Sequence, residues 1–274
     1  MNNNNSKRAT NEMFFQLTAL LLSIIIVHSI FVTVVRPNAE NLIRQHKEIA
    51  AAGEEYVVPK SLYIVIKDFE QESCLILMLW ALAIMGYKSR STLKERSMLD
   101  RQLISITEGA VIYPEDSVKL TGPIQSLSSE QRDYLLPRAI QTALNRFQLT
   151  QSVQFATEAV ESICDTENDR LDSELSMVRY ITWAIPSIGF IGTVRGIGAA
   201  LGQAHQAMQG DISGVTSSLG VAFNSTFVAL LISMLVMFFM HQLQLTQERL
   251  VLDSQTYCEN KLLRFLKTKN QSDE

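Results

Sequence analysis

Acidic side chains are missing from every long apolar stretch of this chain. Four such blocks stand out, at residues 14–35, 74–87, 179–206 and 215–241, and none contains Asp or Glu. A carboxylate at bilayer depth is costly, so its absence leaves all four free to lie in lipid. Cysteine is scarce too. Cys74, Cys164 and Cys258 have no metal-ligand spacing with His or acids, so no metal site is expected. A formal net charge of −4 and the lack of a basic, aromatic-studded face give no case for nucleic acid. No Gly-rich phosphate loop or nucleophile elbow occurs, so neither an enzyme nor a cofactor is expected.

What the chain does have is hydropathy in blocks. A helix crossing a bilayer needs about 20 apolar residues, and three of the blocks meet that length. The short one, "CLILMLWALAIMGY" at 74–87, is decided by charge. Lys88, Arg90, Lys94, Arg96 and Arg101 follow it, and Lys7 and Arg8 precede the first block. Both clusters belong inside, so the chain crosses twice between them. The hairpin "HQAMQGDISG" has no Lys or Arg and belongs outside. The tail, with Lys261, Arg264, Lys267 and Lys269, belongs inside. No small-x-small site follows residue 35, so the first block reads as a span rather than a cleaved leader.

The predicted fold is an all-α integral membrane protein with four transmembrane helices and long cytoplasmic helical extensions. Residues 1–13 form a cytoplasmic N-terminus, 14–35 the first span, 36–73 a periplasmic segment and 74–87 the second span. Residues 88–178 form a cytoplasmic helical region, 179–206 the third span, 207–214 a periplasmic hairpin, 215–241 the fourth span and 242–274 a cytoplasmic C-terminal helix. In the external segment, a helix is expected from Asn38 to Gly53 and an extended stretch up to Lys67. Met98/Leu99, Leu103 and Ile106 extend the second span as an amphipathic stripe, and "YPED" and "TGPI" break it. Ser128 with Gln131 forms a capping-box pattern opening a helix that runs through "ESI", and a further helix enters the membrane from about Asn168.

The stretch "PSIGFIGTVRGIGAALGQA" is unlike a lipid-facing helix. Pro186, Gly189, Thr193, Gly196 and Ala200 recur every three or four residues and share one face, with Gly192 beside them. The fourth span repeats the design with Ser218, Ala222, Ser225/Thr226, Ala229 and Ser233. Faces of small residues let membrane helices meet backbone to backbone. At about 1.5 Å per residue, Thr193 lies about 20 Å below Gln206 and Thr226 about 16 Å below Val215, so the two hydroxyls are level. They line one path, or they bond back to their own helix carbonyls. If an ion moves here, its carboxylate comes from another chain, whose helix docks on the small-residue faces. Arg195 points about 200° from Thr193; Asp211, Glu70 and Glu72 are its candidate partners in an interface or gating role. His28 reads as a hydrogen-bonded structural residue.

At these residues the sequence resembles the MotA/TolQ/ExbB proton-channel family. "AIPSIGFIGTVRGIGAAL" is similar to the family's Pro…Gly…GTV-x-GI helix, and "ISGVTSSLGVAFNSTFVALLISML" to its final helix. The resemblance covers residues 178–245. It implies a homopentameric ring in the bacterial inner membrane, both termini cytoplasmic. The ring would surround a MotB/TolR/ExbD-like single-span partner whose membrane Asp binds the transported H⁺ or Na⁺, and ion flow would be coupled to mechanical work. Thr193 and Thr226 match the pore-facing threonines, with Ser225 adjacent, and Gly192 and Gly196 match packing glycines. Arg195 departs from the family pattern, where an aromatic or aliphatic residue is common. A different class of reading is a non-conducting scaffold or sensor that uses residues 38–72.

Overall fold

The computed structural model describes residues 2–51, 61–101, 103–104 and 111–268. Eleven α-helices are found among them: α1 (Asn2–Ile30), α2 (Arg36–Ala51), α3 (Leu62–Ile66), α4 (Phe69–Arg96), α5 (Ser117–Gln125), α6 (Ser129–Arg132), α7 (Leu135–Thr150), α8 (Val153–Glu174), α9 (Ser176–Gly202), α10 (Ala204–Met208) and α11 (Ser213–Lys261). The only bridge among the described residues pairs Ile112 with Leu266. Four helical stretches are long and apolar enough to cross a membrane, beginning at Thr10, Phe69, Val153 and Ser213. The all-helical, four-span reading holds.

The chain divides into two units. The first comprises residues 1–86 and 177–240, and it carries the four apolar blocks. In it the helix of the first span does not stop near residue 35. One π-helical turn, Phe31–Val35, joins α1 to α2, so the expected break before Asn38 is absent. Phe31 and Val35 on that turn are buried with Val27 against Ile66, Leu75, Ile76 and Leu79, and this packing holds the irregular turn in place. The stretch expected to be extended is helical at Leu62–Ile66, because the Ser61 carbonyl accepts from the amides of both Ile64 and Val65. Gly53 lies outside the described residues.

Residues 87–176 and 241–274 form the second unit. Its core joins α5, α7, α8 and the end of α11 through Ile124, Leu135, Ile140, Leu144, Phe147, Val160 and Leu262. Each such side chain contributes about 1.5–3 kcal/mol on removal from water. Ser128 caps as expected, its hydroxyl accepting from the Gln131 amide at 3.3 Å, although α6 ends at Arg132. The long helix foreseen after Ser128 is three helices. The break between α7 and α8 falls at Gln151, whose φ of 50° makes it a left-handed cap whose amide bonds the Phe147 carbonyl. No Gly or Asn marks that site, so periodicity ran straight through it. Conversely, Pro123 of "TGPI" lies inside α5 rather than breaking it, and α4 stops at Arg96 before reaching Leu103. Ile106 lies outside the described residues. Asn168 is interior to α8, and the turn into α9 comes at Leu175.

Buried charge in this unit is compensated locally. Glu167, 3% exposed, takes Arg138 at 2.6 Å and Arg170 at 2.7 Å. Glu174 takes Lys88 at 2.7 Å, and the Glu95 carboxylate accepts from the Leu135 amide at the start of α7. Without these partners, the buried charges of Glu167, Lys88 and Glu95 would each destabilise the fold by several kcal/mol.

Candidate functional site

Glycine decides how α9 and α11 meet. A Cβ on Gly192 would stand 2.5 Å from the Ser225 Cβ, and one on Gly196 2.7 Å from both the Cβ and the amide nitrogen of Ala222. Gly189 faces Ala229 in the same way. These distances are too short for any side chain, so the two small-residue stripes are packed on each other. Gly189, Gly192, Gly196, Ala200, Ala222, Ser225, Ala229 and Ser233 are all buried. Their helix-packing role is therefore met within the chain. In this chain α9 and α11 fill one another's grooves along these faces.

Pro186 is part of the same design. It has no amide hydrogen, so the Thr182 carbonyl one turn earlier loses its helical donor. The Ser233 hydroxyl of α11 donates to that carbonyl at 3.0 Å, and the Cys74 thiol of α4 reaches the adjacent Ile185 carbonyl at 3.6 Å. In a membrane a freed carbonyl must be satisfied by a neighbouring helix, and here Ser233 of α11 does it. Near the other end of the pair, Gln203 donates to Ser218 at 3.3 Å. Asp211 does not reach Arg195. It caps α11 by accepting from the Ser213 amide at 3.0 Å and hydroxyl at 2.5 Å, and these bonds hold its carboxyl below the usual range.

Between these ends lie the two threonines. The Thr193 and Thr226 hydroxyls are hydrogen-bonded to each other. Thr193 also donates toward the carbonyls of Ala222 at 3.2 Å and Gly189 at 3.3 Å, and Thr226 toward Gly189 at 3.1 Å. The two hydroxyls are level, as read from rise per residue; Thr193 bonds back to its own helix at Gly189, whereas the carbonyl that Thr226 reaches lies on α9. Both side chains are half-buried. The neighbouring Ser225 is fully buried, donating to the Val221 carbonyl at 2.8 Å and accepting from Gln71 at 3.3 Å.

The first turn of α4 supplies Glu70, one of the expected Arg195 partners, together with two contacts the sequence reading missed. Three consecutive residues there grip three different helices. Glu70 holds Arg195 of α9 through both oxygens, at 2.7 and 2.8 Å. Gln71 holds Ser225 of α11. Glu72 holds His28 of α1 at 2.7 Å and also takes Arg36, whose guanidinium lies 4.5 Å from the centroid of the Phe69 ring. All three are buried. Glu70 stands level with the threonines, since a Cβ on Gly192 would lie 3.1 Å from its Cγ. Placing these carboxylates above the second span is thereby corrected: they belong to the span helix, which starts at Phe69. The apolar run itself held the signal. At about 1.5 Å per residue, residues 74–87 cover only about 21 Å of a hydrocarbon core of about 30 Å, so flanking residues have to be drawn in.

These features define the class: a multi-pass membrane protein whose last two apolar helices are packed through small residues around a hydroxyl pair. Residues 131–256 match the model of the MotA/TolQ/ExbB proton channel family. The match takes in α7, α8, α9 and most of α11, and so both threonines. No curated protein and no solved structure matches the chain.

Proposed function

We propose that this chain is the ring-forming subunit of an ion-driven motor or channel of the bacterial inner membrane. In this reading it conducts H⁺ or Na⁺ together with a single-span partner of the MotB/TolR/ExbD kind, and it catalyses no covalent reaction. The observation that carries the reading is the Thr193–Thr226 hydroxyl pair, level on adjacent helices and half-buried. Lone intramembrane threonines bond back to their own helix. Here each hydroxyl also lies within hydrogen-bond reach of a carbonyl on the other helix, which gives a patch of oxygen atoms between two spans. Such a patch solvates a cation or relays a proton, and an Asp brought by a partner helix supplies the charge. Because the glycine faces are filled within the chain, the partner meets the open side of the hydroxyl pair.

Native mass spectrometry of the protein, purified in mild detergent from its own host, tests the assembly. The expected species is a pentamer with a small single-span protein bearing a membrane aspartate. A monomer or a ring without such a companion refutes the reading and leaves a membrane scaffold in its place. Conduction has its own test. Thr193→Val and Thr226→Val are each expected to cut ion flux in membrane vesicles by more than about tenfold, roughly 1.4 kcal/mol of barrier, with assembly retained. Unchanged flux in both variants counts against it.

A further inference from the structure

Arg195 places a cation two residues from Thr193, next to a path proposed for cations. Its partner answers the difficulty. Glu70 meets the guanidinium with both carboxylate oxygens, the planar two-bond geometry that arginine forms best. The Glu70 side chain is 10% exposed, and it passes over Gly192 to reach that partner. Gly192 has no side chain to block it. Arg195, by contrast, is half-exposed at 51% and stands outside the small-residue packing, so α9 and α11 do not need it to pack. An arginine with no packing duty, at span depth, neutralised by a buried carboxylate from a third helix, is an electrostatic arrangement.

We infer that Glu70 is a positioning residue for the ion pathway, acting by cancelling the Arg195 charge beside the threonine pair. The inference rests on the conduction reading above. Without Glu70, the guanidinium raises a Coulomb barrier to any cation near Thr193 and Thr226, in a medium where charges are poorly screened. Without Arg195, Glu70 is left as an uncompensated anion that holds the cation rather than passing it. Each loss alone therefore slows flux, and the two losses together cancel. A role in stability alone also gives rescue in the double variant, since removing one partner strands a charge and removing both does not; it is told apart by flux per assembled complex, which then stays at the wild-type value in every variant. His28, Arg36 and Glu72 form a separate group on the other side of the same helical turn, with no contact to the substituted side chains among the described residues.

The test is a double-mutant cycle on the assembled complex in inside-out membrane vesicles. Cation flux per assembled complex is read with an internal pH-sensitive dye and, in parallel, with a sodium-sensitive one. Glu70→Gln is expected to lower flux about tenfold or more, Arg195→Gln to lower it severalfold, and the double variant to return within about twofold of the wild type. A double variant as slow as Glu70→Gln, or a Glu70→Gln variant with full flux, overturns the inference. Should Glu70→Gln fail to assemble, Arg195→Lys replaces it: the charge stays while the two-bond grip is lost, so flux within about twofold of wild type is expected and a tenfold loss overturns the inference. Thr193→Val runs beside the cycle. If it stops flux while the cycle fails, the pathway stands and the role of Glu70 falls; if the wild type carries no flux in either dye, both fall together.

Discussion

Adding one methyl group at Gly192 tests the central contact of α9 with α11 more sharply than removing any side chain. The Ala Cβ would meet Ser225 at 2.5 Å from its Cβ and 2.6 Å from its Oγ, and the Glu70 Cγ at 3.1 Å. Ordinary contact needs about 3.4 Å or more, so the helices must part by roughly 1 Å or Ser225 must turn away. Neither is easy. Ser225 is fully buried and bonded to both Val221 and Gln71, and the Gly189–Ala229 and Gly196–Ala222 contacts on either side keep the axes close. Overpacking of this kind costs about 1–3 kcal/mol, and losing the Gln71–Ser225 bond costs about 1 kcal/mol more. Gly198 is the internal control, because a Cβ there meets nothing within 4 Å. Gly198→Ala removes a flexible residue from a helix and is expected to stabilise by up to about 1 kcal/mol. The two variants should therefore differ by about 3 kcal/mol, or about 6–12 °C in the thermal midpoint measured in mild detergent. Ser225→Gly in the Gly192→Ala background should recover most of the loss. Equal midpoints for the two alanine variants would refute the argument that α9 and α11 touch through these glycines.

Ser233→Ala strips the Thr182 carbonyl of the donor that replaces the amide missing at Pro186; a loss of about 1–3 kcal/mol in the same thermal assay is expected, and Ser233→Thr, which keeps the hydroxyl, should restore part of it. In the second unit, burial pushes the Cys164 thiol up to about 11 and the Cys258 thiol up to about 12, against an ordinary value of 9.0. At pH 8 both are protonated, so maleimide labelling in the folded protein should run about 100-fold slower or more than in urea, where the thiolate is far more abundant. The sign for stability follows. The folded state keeps protons that the unfolded chain gives up above its own lower value, so stability is intact below about pH 9 and declines as pH rises toward 11. Rapid labelling at pH 8, or a urea midpoint that rises between pH 9 and 11, would show that these thiols are not buried as described.

How much of this was legible in the sequence depends on the range of the interaction involved. The α9 stripe is periodic, and it repeats in α11, so the packing face and the level of the threonines could be read from spacing and rise alone. The capping of α6 by Ser128 was legible for the same reason, being complete within four residues. Features that depend on a tertiary partner were not. Gln151 adopts a left-handed conformation that its residue type does not announce, and Phe31–Val35 stays helical through a π turn because the packing of Phe31 and Val35 holds it.

The first turn of α4 fell between these cases. Counting acids within hydropathy blocks separated Glu70 and Glu72 from the second span, although charge had already required that span to cross. A 14-residue apolar run that must span has to include polar neighbours, and polar neighbours at depth have to be paired. The unclaimed polar groups at matching depth were Arg195, Ser225 and His28, and these are the side chains that Glu70, Gln71 and Glu72 take. Length, orientation and pairing together therefore lead to the tripod, where hydropathy alone hides it. The same reasoning moves the question of the ion's carboxylate. This chain does carry acids in the helix of its second span, Glu70 at the level of the threonines, but both Glu70 and Glu72 are committed to cations of its own. In the proposed reading, that commitment leaves the mobile charge to a partner helix.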